Sequence, residues 1–450
     1  MGPQQNPRSY TKKNLAMAKG KRAIGSPRSA RAKAPSLRGA PPLLILGASA
    51  RAAAFSAARA SFAPIACDIF GDDDLRSVAR YVPVAGGYPE GIARAVQSLP
   101  PVPWIYTGGI ENHPALVASI ARTKPLWGVS AEALRRVRDP SSVERALART
   151  GARPPAVRPA SDPPRRSAGW LWKPLAGAGG RGIRLAVDAA PQLSRPQRGR
   201  GYFQRRVPGV PCSAVFVGRR GDCDFLGATR QLVGVSWLHA KPFAWCGNVG
   251  PIRMRGGLEK VLRAVGEALA QEFQLVGLFG VDFLLDRGVV RPVEVNPRYP
   301  ASVEVLELAL GISAIALHAG ACAGSNAAAP TGPRGGVGRE GVLGKAVVYA
   351  PSDVIAPRGL LPETGGATSD PWRWPRIADV PRAGTRVPAG TPLLTVFARG
   401  RSVASCRRAL RREAEQVLRC FRPAASAAGS PTWTRAASAA MRKCPPGGVR

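Results

Sequence analysis

Three side chains raise the question of chemistry first: Asp282, Glu294 and Asn296. The stretches Val281-Asp282-Phe283-Leu284-Leu285 and Val289-Val290-Arg291-Pro292-Val293-Glu294-Val295-Asn296 flank the turn Asp286-Arg287-Gly288 and read as the two apolar strands of a β-hairpin. With a side-chain period of two, Glu294 and Asn296 share one face and Val295 takes the other. Pairing centred near Gly288 sets Asp282 beside Glu294 on that same face. Two carboxylates and an amide oxygen make a site for a hard cation. Mg²⁺ takes oxygen ligands at about 2.1 Å and is usually held by one or two carboxylates plus substrate phosphates. Taken alone, the hairpin reads first as a polar solvent face.

An upstream partner changes that balance. Leu171-Trp172-Lys173-Pro174 ends a short apolar strand in a lysine, and Gly177-Ala178-Gly179-Gly180-Arg181-Gly182 follows at once. Glycines let backbone N–H groups approach anionic oxygens without Cβ interference. Between residues 43 and 422 the only lysines are Lys124, Lys173, Lys241, Lys260 and Lys345. A compact ammonium on a flexible stem suits phosphate as a point charge. Either half alone is weak; the ordered pair is far more specific.

Lys173-Pro174, the Gly177–Gly182 loop, Gln204-Arg205-Arg206-Val207-Pro208-Gly209, and Gly280-Val281-Asp282 followed by Glu294-Val295-Asn296-Pro297-Arg298 resemble the ATP-grasp superfamily. Within it they are similar to the predicted ATP-dependent carboligases related to biotin carboxylase and to the ligases that join glutamate to tyramine. The resemblance covers residues 43 to about 325 and, more loosely, 341–421. It implies that Lys173 binds the α- and β-phosphates of ATP, that Gly177, Gly179, Gly180 and Gly182 close over them, and that Gln204 and the Val207 backbone meet the adenine. It also implies that Asp282, Glu294 and Asn296 hold one or two Mg²⁺ (or Mn²⁺) ions, with Arg298 beside the transferred phosphoryl group. The chain departs from the pattern in places. The stretch 138–145, where many members carry an earlier ATP-contacting lysine, has arginines only. Arg205 stands where an acidic residue often follows the adenine-binding glutamine, and no ribose-binding glutamate occurs in Gly209-Val210-Pro211-Cys212-Ser213.

A carboxylate is a poor electrophile, so amide formation needs a leaving group on its carbon, and phosphoryl transfer supplies one. The expected reaction is therefore an ATP-dependent joining of a small-molecule carboxylate to an amine through an acyl phosphate, with Lys173 and Arg298 neutralising charge. Two alternatives stay open. One is a carboxylase that makes carboxyphosphate from bicarbonate, and the other a non-catalytic basic protein that binds nucleic acid. His113, His239 and His318 are far apart in sequence and read as structural or pocket-lining. Glu111-Asn112-His113, after the apolar Trp104-Ile105-Tyr106, forms a polar cluster where α/β sheets place ligand contacts, with helix capping by Asn112 the alternative. The segment from Thr229 to Pro251, with Trp237, His239, Lys241 and Trp245, reads equally as a substrate cleft and as an ordinary crossover.

Composition bounds the remainder. At 450 residues and 45% hydrophobic content the chain supports two or three domains with real cores. The formal charge is +37; residues 1–42 hold ten basic and 423–450 four basic side chains with no acidic ones, leaving +23 between them. Such a field attracts nucleotides, acidic metabolites, nucleic acid or anionic membranes without selecting among them. Solvated disorder is the first reading of the tails and RNA association the second, so nucleic acid is not an expected partner. Residues 1–42 fit a transit peptide or a start that belongs at Met17. With no apolar h-region and no bilayer-length apolar run, no membrane role is expected. The eight cysteines show no C-x-x-C pair, which favours reduced thiols in the cytoplasm. A homodimer is compatible with everything above.

The elements that must position these residues follow the same order. Short apolar strands alternate with alanine-rich helices from Leu43 to Arg138, as in a parallel α/β domain. Gly47-Ala48-Ser49-Ala50-Arg51 lacks the three-glycine spacing of a dinucleotide site, so NAD is not expected. The fold class is thus α/β and α+β. Its parts are a basic tail over 1–42, a pre-ATP-grasp α/β domain over 43–137, an ATP-grasp domain over 138–324, a linker over 325–340, a small α+β domain over 341–421 and a second tail over 422–450.

Overall fold

The computed structural model describes residues 39–189, 200–325, 341–360 and 370–423. The expected tails over 1–42 and 422–450 and the linker over 325–340 lie outside these ranges, apart from residues 39–42, 325 and 422–423. Strands β1 (Pro42–Leu46), β2 (Ala63–Asp68), β3 (Arg80–Pro83) and β4 (Trp104–Tyr106) form a parallel sheet in the order β3-β2-β1-β4. Leu43, Leu44, Ile45 and Leu46 are all fully buried, the continuous apolar run that a sheet covered on both faces requires. This is the parallel α/β layer expected of the first third of the chain.

A small antiparallel sheet follows, built from β5 (Val157–Pro159), β6 (Trp170–Pro174), β7 (Arg184–Leu185) and β8 (Gly201–Arg205) in the order β5-β8-β6-β7. The central sheet holds β9 (Val210–Arg219), β10 (Asp222–Val233), β11 (Trp245–Gly250), β12 (Gly277–Asp286) and β13 (Val289–Asn296). It continues into the carboxy-terminal region. Of the strands β14 (Val342–Tyr349), β15 (Val354–Ile355), β16 (Ile377–Ala378), β17 (Arg386–Val387), β18 (Pro392–Gly400) and β19 (Arg422–Pro423), three join it, and the full order is β13-β12-β9-β10-β11-β14-β18-β16, all antiparallel. The others form a three-stranded sheet, β17-β15-β19. Residues 341–421 therefore share a sheet with the central region, because β14 pairs directly with β11.

One apolar cluster runs from the parallel sheet into the central one, joining Leu44, Trp104 and Tyr106 to Phe216, Phe279 and Phe283. Phe216 and Phe279 stack with ring centroids 5.1 Å apart. Each such side chain contributes roughly 1.5–3 kcal/mol when fully buried. Charged groups complete the join. Arg51, in the helix Arg51–Arg59, meets Asp379 at 3.0 Å and grips Glu304 through both terminal nitrogens, while Lys345 on β14 reaches the same Glu304 at 3.0 Å. One turn along, Arg59 and Ser56 both bond Glu307 at 2.7 Å. These ties hold the helix Val303–Leu310 between the parallel layer and the central sheet.

Burial alone would raise the Glu304 carboxyl, but Arg51 and Lys345 outweigh it and hold its pKa down at about 2. Because the folded value lies below the ordinary one, the stabilisation is complete above about pH 4.5 and drains away as pH falls towards 2. Glu304→Gln should lower stability by roughly 3–5 kcal/mol at neutral pH, since it takes the shared carboxylate away from two buried cations. Thermal unfolding followed by circular dichroism should show that deficit shrinking as pH drops below 4.5; a deficit constant with pH would contradict it.

Candidate functional site

The hairpin forms as its sequence dictates. Arg287 and Gly288 have φ of 47° and 82°, so Asp286 pairs Val289 through a two-residue turn with both central residues left-handed, whose twist matches the strands it joins. The register places Asp282 directly opposite Glu294 and Gly280 opposite Asn296. The three expected site residues of the hairpin are therefore brought together. Asn296 Nδ2 donates to Asp282 Oδ2 at 3.2 Å. Its Oδ1 accepts from Arg298 Nη2 at 2.9 Å, so ligation of a cation by that oxygen would use its second lone pair.

A bulge interrupts the ladder just beyond. Asp282 faces Glu294 but Phe283 faces Pro292, leaving Val293 as the extra residue. Its carbonyl oxygen turns to the small sheet and accepts from Lys173 Nζ at 3.1 Å and Gln204 Nε2 at 3.3 Å. Lys173 and Gln204 sit on neighbouring strands β6 and β8 and bond each other at 3.2 Å. Burial opposes the Lys173 charge, yet the Tyr202 hydroxyl, Glu294 and Asp282 outweigh it and raise its pKa, so the lysine stays an ammonium although only 7 % exposed.

Between the two sheets lies a small open cleft lined by Arg138, Val157, Lys173, Tyr202, Gln204 and Glu294, among others. Val207 lies in the connection from β8 to β9 and is not part of that lining; neither are the glycine loop, Asp282, Asn296 and Arg298. The loop instead folds onto the segment before β11. Gly179 O accepts from Trp245 N at 3.0 Å, and a Cβ on Gly180 would fall 1.8 Å from Phe243 O, so only glycine fits there. Gly179, Gly180 and Gly182 all have positive φ. The segment around Trp237, His239, Lys241 and Trp245 thus touches the glycine loop through its end.

One contact is announced by no motif. Arg138 reaches the Leu175 carbonyl, Asn112 Oδ1 at 2.7 Å and Glu294 at 3.7 Å, and so ties the parallel layer, the base of the glycine loop and the hairpin. Its signal in the sequence is the arginine that opens the stretch 138–145. Asn112 is no helix cap: its Nδ2 donates to Gly177 O at 3.4 Å, and the following helix takes His113 at its N-cap. Glu111 bonds Arg298 Nε at 2.8 Å. Burial opposes the Arg298 charge, but Glu111, Asp282 and Glu294 more than offset it and raise its pKa. His318 is structural: its Nδ1 accepts from Leu278 N at 2.8 Å, so Nε2 carries the proton towards Trp127 O, and burial lowers its pKa to about 4.

The donor set fits a hard divalent cation. Burial first, and the facing Glu294 second, push the Asp282 carboxyl up to about 6. A cation between the two carboxylates would relieve that repulsion. Among the described residues no group of three or more His, Cys, Asp or Glu could hold a metal ion. Asp282 and Glu294 therefore leave most of a coordination shell to Asn296, water and ligand oxygens. With Lys173 and Arg138 across the cleft, the arrangement suits a polyanion bridged to a divalent cation. No helix among the described residues is long and apolar enough to cross a membrane.

Residues 137–302 match the family model for the ATP-grasp domain. No curated protein matches the sequence. Among solved structures, biotin carboxylase from Campylobacter jejuni aligns with a TM-score of 0.60 at 14% identity, covering 80% of this chain and 88% of its own. A carboxyaminoimidazole ribonucleotide synthase from Aspergillus clavatus, complexed with ATP, gives 0.59 at 12%, covering 85% and 99%. An L-amino acid ligase from Bacillus licheniformis gives 0.57 at 13%, covering 84% and 97%. At these identities the likeness is one of fold.

Carboxyl-detected NMR of the metal-free protein should find Asp282 titrating near pH 6, protonated below that value and charged above it. Glu294→Gln should move the titration to lower pH by removing the facing charge. An unshifted midpoint in that variant would separate the two carboxylates.

Proposed function

We propose, for a chain whose residues 137–302 form an ATP-grasp domain, that it is an ADP-forming ligase joining a small-molecule carboxylate to an amine through an acyl phosphate. The observation that carries this reading is Glu294, paired in the hairpin with Asp282, on the wall of a cleft that Lys173 and Arg138 also line. Lys173 and Arg138 neutralise the phosphates of ATP, with the Gly177–Gly182 backbone closing over them. Gln204 and the Val207 backbone meet the adenine. Arg138 takes the part that a lysine would play in the stretch 138–145. Asp282, Glu294 and Asn296 hold the cation, Mg²⁺ or Mn²⁺. Bound there, the ion draws charge off the transferring phosphoryl group.

The substrate carboxylate oxygen attacks the γ-phosphorus, an O–P bond forms, and the bond to the departing ADP oxygen breaks. Arg298 faces the group in flight, where a fixed guanidinium is worth most because water is scarce. An amine then displaces phosphate from the acyl carbon. The fold shared with biotin carboxylase over 80% of the chain supports a second reading, in which bicarbonate is the carboxylate. ADP release that depends on bicarbonate and needs no amine would favour it.

An ADP-release screen of the full-length protein against paired carboxylates and amines, with glutamate and small aromatic amines among them, tests the assignment. Glu294→Ala should reduce ADP formation about a hundredfold or more while leaving the melting temperature near that of the wild type. Lys173→Ala and Arg138→Ala should each raise the KM for ATP roughly tenfold, about 1.4 kcal/mol of binding. Full turnover in Glu294→Ala would remove the carboxylate pair from the mechanism.

A further inference from the structure

Resting on the ligase reading, we propose that Glu111 and Tyr88 form the subsite for the attacking amine and that Glu111 takes its proton. Glu111 is 1 % exposed and uses one oxygen, Oε1, on Arg298 Nε at 2.8 Å. Its second oxygen, Oε2, is buried and has no hydrogen-bond partner. The Tyr88 hydroxyl is also buried and also without a partner. Among the described residues four buried side-chain polar atoms lack a partner, Arg59 Nε and Ser313 Oγ being the other two, and leaving such an atom unpaired costs about 1–3 kcal/mol. The Tyr88 hydroxyl lies against Gly109, two residues before Glu111, and feels the Glu111 charge. Burial first and the Glu111 charge second push the Tyr88 hydroxyl up, so it is a neutral group with a proton to give and lone pairs to receive.

The backbone is shaped around the pair. Gly109 has φ of 102°, and a Cβ there would lie 2.4 Å from Tyr88 Oη, while one on Gly108 would sit 3.7 Å from the Arg298 guanidinium. The Thr107–Gly109 turn leaves β4 at its carboxyl end and runs between Tyr88 and Arg298. His113, whose pKa is lowered by burial, packs edge-on against Tyr88 with centroids 5.9 Å apart. The chemistry of the vacant valences selects the ligand. A carboxylate oxygen and a phenol oxygen call for N–H donors, and the Glu111 charge repels an anion, so a primary ammonium group is the class that fits.

The step balances. The ammonium passes one proton to Glu111, its freed lone pair attacks the acyl carbon, and the C–N bond forms. The C–O bond to phosphate breaks with its electron pair going to phosphate, which takes the second proton from nitrogen, and Glu111 returns its own to solvent. Arg298, bonded to both Glu111 and Asn296, holds this base beside the phosphoryl side of the site.

Two measurements on the full-length chain decide the matter. In saturation-transfer NMR with Mg·ATP present, methylammonium, ethanolamine and tyramine are the probes. At least one should bind the wild type, weaken tenfold or more in Glu111→Gln, and weaken less in Tyr88→Phe, with ATP affinity unchanged in both. Glu111→Gln keeps an oxygen for Arg298 and puts an N–H donor where Oε2 was; Tyr88→Phe removes a hydroxyl that bonds nothing and so leaves folding intact. With the carboxylate that releases ADP, Glu111→Gln should lose amide formation a hundredfold yet still make hydroxamate from hydroxylamine, which is neutral at pH 7 and needs no base. No probe binding to the wild type, equal binding in all three proteins as expected of a bridging water only, or equal loss of amide and hydroxamate would each overturn the subsite. Glu111-dependent amine binding without ADP release from any acid would sink the ligase reading and leave the subsite standing. ADP release with amide formation untouched by Glu111→Gln would do the reverse.

Discussion

The register of one hairpin governs the rest of this site. A slip of a single residue between β12 and β13 would send Glu294 to the face opposite Asp282 and dissolve the carboxylate pair. The Arg287-Gly288 turn prevents it, because both residues occupy left-handed backbone and a two-residue connection of that kind admits one pairing. The bulge at Val293 then adds a second function to the same strand. An unpaired carbonyl on the edge of a sheet would ordinarily take water. Here it takes Lys173 and Gln204, and so fixes the small sheet at a set distance from the carboxylates. Cation and anion walls of the cleft are in this way referenced to a single stretch of backbone.

Charge is handled by pairing across layers. Arg51 and Arg59 in the parallel domain meet Glu304 and Glu307 in the helix that follows the hairpin, and Arg138 and Arg298 meet Glu294 and Glu111. Buried ion pairs contribute little net stability when compared with apolar substitutes, but breaking one is costly. Such pairs therefore specify which surfaces meet more than they strengthen the meeting. The excess positive charge on the central region then adds a field that draws polyanions towards a cleft already supplied with Lys173 and Arg138.

The sequence disclosed those parts of the site whose determinants are local. The parity of Glu294 and Asn296, the glycine turn, the lysine at the end of an apolar strand and the strand–helix alternation of the first domain all depend on neighbours a few residues away. Determinants that arise from pairing were not legible. The bulge leaves the alternation of Glu294, Val295 and Asn296 intact, so nothing in the pattern announces Val293. Glu111 and Arg298 stand 187 positions apart, and Arg138 meets Glu294 from a helix end whose composition suggests only a surface. The joining of β14 to β11 is hidden for the same reason: a strand's sequence states that it is half buried, not which edge it extends.

Arg298 connects the two halves of the proposed chemistry. Its guanidinium is planar and rigid, and its donors are divided among Glu111 from the parallel layer, Asn296 from the hairpin and the adjacent Tyr299 carbonyl. A lysine there would offer one point of charge and could satisfy one partner well. A fork satisfies several at once, so a displacement on the Glu111 side is felt on the Asn296 side. Asn296 in turn donates to Asp282, which extends the chain of contacts from the end of β4 to the carboxylate pair without a break. The layer that supplies Glu111 is therefore tied to the carboxylate pair, through the same hairpin register that sets the two acids side by side.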